Sequence, residues 1–109
     1  MANNTQNVTI SPCSDPEAPS IGCVEGLSIK LSEPYSDREV TVKINPFDDD
    51  HPADMKDTKS TKTLKFDFDK SNTKKIKLSH NSYTVKLMNI SNKTWEGQDY
   101  PYFEFLVEW

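Results

Sequence analysis

Apolar residues in this chain recur at every second position, and they do so in seven separate runs. Val8 and Ile10 alternate with polar neighbours, as do Leu27, Ile29 and Leu31, and then Val40, Val42 and Ile44. Leu64, Phe66 and Phe68 follow, then Ile76 and Leu78, then Tyr83, Val85 and Leu87, and last Phe103, Phe105, Val107 and Trp109. Successive side chains of a strand point to opposite faces, so this period predicts about seven β-strands, each with one face in a core. The intervening Lys30, Thr41, Lys43, Lys65, Asp67, Lys77, Thr84, Lys86, Glu104 and Glu108 then face water. No stretch keeps a 3.6-residue period, and Pro12, Pro34, Pro46 and Pro101 sit at the ends of runs, so helix is expected to be minor or absent.

The segments between the runs differ in kind. Glu33–Asp37 and Asp69–Asn72 are short and polar, suited to hairpins. Residues 46–61 form a long acidic and polar crossover loop without periodicity, expected to be the most mobile internal segment. Ser91–Asp99 reads as an irregular insertion carrying Trp95 and Gly97. Trp95 is either a contact residue or a cover for one end of the core. Residues 1–6 are a polar N-terminal arm. The chain has 109 residues, the size of one domain, so 1–109 is expected to fold as a single unit.

Composition narrows the function. With 34% hydrophobic and 28% charged residues, the core is thin and little apolar surface is left for a large empty pocket. A net charge of −4 and a pI near 5.1 disfavour nucleic acid and anionic membranes as partners, since both need a positive surface. Charge is uneven: eight lysines and three aspartates lie between Lys56 and Lys77, just after the acidic Asp48, Asp49 and Asp50. A solvated strand face and a solvated loop account for both. No run of eighteen apolar residues exists, and Met1–Gln6 has no leader-like pattern, so a virion-associated protein or one secreted after leader removal are the expected settings.

Catalytic signatures are missing: there is no Gly-x-Ser-x-Gly elbow, and three glycines in all cannot supply a phosphate-binding loop. Asp48–Asp50 with His51, and Asp67 and Asp69 with Ser71, contain the oxygen ligands that hard cations favour, but neither has the spacing of a binding loop. No enzymatic activity, cofactor or metal is expected. Asn-x-Ser/Thr sites occur at Asn3, Asn7, Asn89 and Asn92, a weak sign of a secretory origin. Cys13 and Cys23 flank a loop with two prolines and a glycine, and the spacing fits both a disulfide and two reduced thiols.

Seven alternating strands in about a hundred residues is the profile of an all-β, immunoglobulin-like two-sheet antiparallel sandwich. The stretch Leu78-Ser79-His80-Asn81-Ser82-Tyr83-Thr84-Val85-Lys86-Leu87 resembles the corner before strand F of immunoglobulin and fibronectin type III domains. That resemblance implies a tyrosine corner at Tyr83, its hydroxyl bonded back to the turn. A second resemblance is carried by Val8–Cys13, Cys23 and Tyr100–Trp109, which are similar in order to segments of the secreted ML lipid-recognition domains. It implies a lipid or sterol between the sheets. The family's three disulfides are reduced here to one candidate pair, and its last strand is missing. The leading expectation is a non-catalytic protein-binding or structural accessory module, similar to decoration proteins of virus particles. Its contacts are expected from Asn3, Asn4, Thr5 and Gln6 of the arm, from Val8 and Ile10 as an apolar face, and from Trp95.

Overall fold

A computed structural model describes residues 4–12, 20–24, 26–46, 61–77 and 82–109. Eight strands are seen among them: β1 (Thr5–Ile10), β2 (Ile21–Val24), β3 (Leu27–Ser32), β4 (Glu39–Pro46), β5 (Lys62–Asp67), β6 (Thr73–Lys77), β7 (Ser82–Trp95) and β8 (Gln98–Glu108). They form two four-stranded antiparallel sheets, ordered β1-β8-β7-β6 and β2-β3-β4-β5, that share one core.

The two-residue period places the core as expected. In β4, Val40, Val42 and Ile44 are buried while Lys43 is exposed. Their β-branched side chains fit a pleated surface, and each contributes roughly 1.5–3 kcal/mol on burial. Thr41, expected to face water, is instead buried at 3% exposure on this central strand between β3 and β5. Phe66 meets Phe105 of the other sheet edge to face, with centroids 5.3 Å apart. Trp109 is partly buried and lies tilted against Tyr83 at 6.3 Å.

Three expectations are corrected. First, β2 makes an eighth strand that apolar alternation did not reveal, because the residue it turns inward beside Val24 is Gly22. A Cβ on Gly22 would run into Val8 Cγ1 and come within 3.3 Å of Ile10 Cγ2, so β1 closes over β2 only because no side chain stands there. Second, the strand order departs from the immunoglobulin arrangement, which places non-consecutive strands B and E, and C and F, side by side. Here every neighbour in the second sheet is consecutive in sequence, and only β1 lies beside a distant strand, β8.

Third, Asp69–Asn72 does not close a hairpin: β5 and β6 belong to different sheets, so this turn carries the chain across the sandwich. Asp67 and Ser71 exchange backbone hydrogen bonds at 3.0 and 2.9 Å, and Asp67 Oδ1 accepts from the amides of Asp69 and Lys70. Arg38, in the β3–β4 connection, holds the crossing from outside by pairing with Asp69 and covering the Phe68 ring. Glu33–Asp37 does lie in the β3–β4 hairpin connection, as its composition predicts. Of residues 46–61, expected to be a mobile loop, Pro46 instead ends β4, Thr61 directly precedes β5, and 47–60 lie outside the described residues, as do Leu78 and the Asp48–His51 cluster.

Candidate functional site: the β7–β8 arm

Strands β7 and β8 are the longest among the described residues, with 14 and 11 residues. On one flank β1 pairs with β8 only as far as Phe103, and on the other β6 pairs with β7 only as far as Lys86. The outer part of the hairpin, from Ser91 opposite Tyr102 to Trp95 opposite Gln98, therefore extends as a two-stranded ribbon with no third strand among the described residues. Ser91–Asp99, expected to be irregular, is this ribbon. Its turn is Glu96-Gly97, with φ of 50° and 80°. Positive φ at both central residues marks the type I′ turn, whose twist matches that of the flanking strands. Thr94 Oγ1 donates to Asp99 Oδ1 at 2.6 Å, tying the two strands near the tip, and within β8 Tyr100 donates its hydroxyl proton to Gln98 Oε1 at 2.7 Å.

A bulge between Leu87 and Asn89 sets which residues face outward. Leu87 pairs with Phe105 in the core, and beyond the bulge Ile90 pairs with Phe103, so the inward phase resumes one residue later. Met88 and Asn89 both fall on the outer face as a result, followed by Ser91, Lys93 and Trp95. Tyr102 and Tyr100 lie opposite on the same face, with the Lys93 ammonium 4.7 Å from the Tyr102 ring centroid. Among the described residues the exposed large hydrophobics are Met88 and Trp95, at 52% and 60%. Both are on this outer face of β7.

The other predicted contact residues sit differently. Thr5 and Gln6 pair with Glu108 and Val107 of the protein's own β8, and Asn4 exchanges backbone hydrogen bonds with Trp109. Val8 and Ile10 are 6% and 0% exposed inside the core. The expectation that they present an apolar face to a partner is thus corrected: that face is occupied by the protein's own second sheet. Asn3 and Cys13 lie outside the described residues, so the Cys13–Cys23 pairing does too. Cys23 sits half-buried on β2, where its carbonyl accepts from Gln6 Nε2 at 3.1 Å and burial pushes its thiol pKa up. Tyr83 is buried at the start of β7, and the turn to which a tyrosine corner would bond, residues 78–81, lies outside the described residues.

The lysine-rich segment resolves into two sheet edges. Strand β5 carries Lys62 and Lys65, and β6 carries Lys74, Lys75 and Lys77. Lysines on an edge oppose pairing with another chain, which is a structural reason for this charge run. A shallow cleft of about 220 Å³ beside these strands mixes Lys65 and Lys74 with Glu39 and Asp67 over a floor of Phe66. Among the described residues, no three His, Cys, Asp or Glu side chains converge as metal ligands, and no helix is long and apolar enough to cross a membrane. No family model, curated protein or solved structure matches this chain.

Proposed function

We propose that this protein is a non-catalytic binding module, an accessory component of a larger protein assembly such as a virus particle, that engages its partner through the β7–β8 arm. One observation carries the reading: Met88 and Trp95, the large hydrophobics left in solvent among the described residues, share the outer face of one strand with the half-buried Tyr100 beside Trp95, while Tyr102 on that face is buried beneath the Lys93 ammonium. Exposed hydrophobics scattered singly need no explanation, but Met88 at the base of a projecting ribbon and Trp95 at its tip stand on the same face of one strand. Tryptophan and tyrosine are the side chains most enriched among residues that dominate binding energy. Lysine-bearing β5 and β6 are poor docking edges by the same physics. The interior between the sheets is occupied by Phe66, Tyr83, Phe103 and Phe105, which favours protein contact over a lipid held there.

The test is size fractionation of an extract of the native host containing the tagged protein or its Trp95→Ala variant. Retention in high-mass fractions should fall at least tenfold for the variant, with unchanged thermal unfolding. Equal retention of both would sink the proposal.

A further inference from the structure

The edges of the two sheets are treated unequally. Strands β1 and β2 cover one another, through Gly22 beneath Val8 and the Gln6–Cys23 hydrogen bond. Strands β5 and β6 are lined with lysines. On the ribbon, Pro101 interrupts β8 with a residue that has no N–H to donate. Among the described residues the β7 side beyond Lys86 has no such guard: Met88–Trp95 reads Met-Asn-Ile-Ser-Asn-Lys-Thr-Trp, with no proline, no glycine and a single charge. An unguarded edge of this kind is a template for strand addition.

We infer that a second copy of this chain occupies this edge, the two β7 strands pairing antiparallel about a two-fold axis at Asn92. The inference rests on the arm being the contact element and names its occupant. Residues opposite each other across such a pair must share a face, which restricts the register. With Asn92 on the axis, Trp95 lies opposite Asn89, Lys93 opposite Ser91 and Thr94 opposite Ile90. The register is self-consistent in three respects. It uses the ribbon edge up to the point where Asn72 accepts from the Leu87 amide and β6 begins. It brings Trp95 of each copy onto the bulge of the other, where Met88 stands outward beside Asn89, so the two exposed hydrophobics cover each other. It also opposes no like charges, since the lysine of each strand faces a serine. Residue-to-residue reciprocity of this kind is what a two-fold interface requires.

The experiment is sedimentation equilibrium of the purified protein from low micromolar to millimolar concentration, with Ser91→Glu and Ser91→Lys beside the wild type. The wild type should pass from monomer to dimer. Ser91→Glu, placed against Lys93 of the second copy, should lower the midpoint concentration several-fold, and Ser91→Lys should raise it tenfold or more. Thermal unfolding confirms that each variant is folded, as expected for a side chain on the outer face. A wild type that stays monomeric throughout, or two variants that shift the midpoint in the same direction, overturns the inference. A monomer whose retention in the native assembly still depends on Trp95 leaves the proposed function standing and removes only the second copy as occupant. Failure of both experiments removes the arm itself.

Discussion

Asn4 and Trp109 exchange backbone hydrogen bonds in both directions, at 3.0 and 3.1 Å, so the two described extremities of the chain are zipped into one sheet. Trp109 is held again by its ring against Tyr83. The consequence is a test of the N-terminal segment as structure. Deleting residues 1–6 removes the Asn4, Thr5 and Gln6 pairings with β8 and should cost about 1–3 kcal/mol in urea unfolding, at roughly 0.5–1.5 kcal/mol net per hydrogen bond. A deletion that unfolds at the wild-type midpoint would show that the segment is an arm after all.

At Gly22, β1 and β2 approach too closely for any side chain. Gly22→Ala places a methyl group against Val8 and Ile10, and should destabilise by about 1–3 kcal/mol, the usual cost of overpacking a filled core. Val8→Ala removes the methyl group that the new side chain meets, so the double variant should lose less than the sum of the single losses. Strict additivity in a double-mutant cycle would place β1 and β2 further apart.

These two positions show what the sequence made legible. Alternation placed β1, β3, β4, β5 and β8 in phase because each presents large apolar residues to one core; Phe66, Val42 and Phe105 are buried as their parity requires. It missed β2 because an inward glycine leaves no apolar mark. It read Ser91–Asp99 as irregular because a strand outside the core need not alternate, and because Glu96-Gly97 is a weaker turn signal than Asn-Gly. Val8 and Ile10 look like a contact face in the sequence because period two reports which residues share a face, not which sheet covers it. Trp95 was legible as an exposed aromatic, but its common face with Met88 was not, since the bulge that aligns them leaves no trace in composition.

Phe66 fills the centre of the interface and contacts Phe105. Phe66→Ala should cost about 3–5 kcal/mol, enough to unfold much of a domain this small at room temperature. A nearly unshifted, cooperative melt would contradict the assigned core.

Lys75 and Lys77 are exposed on β6 and act as edge guards. Replacing both with valine should leave the melting temperature within a few degrees of the wild type while increasing light scattering on incubation, because the bare edge can then pair with other chains. Unchanged scattering at equal protein concentration would argue that something else protects this edge.

The central claim is that association runs through the β7–β8 ribbon. Amide hydrogen exchange, read segment by segment on the dissociated protein and on the same protein in its associated form, tests it directly. Slowed exchange confined to residues 88–102, strongest along Met88–Trp95, is the result expected. Slowing centred on Thr5–Ile10 or on the lysine-bearing strands Lys62–Asp67 and Thr73–Lys77, with the ribbon unchanged, would contradict it.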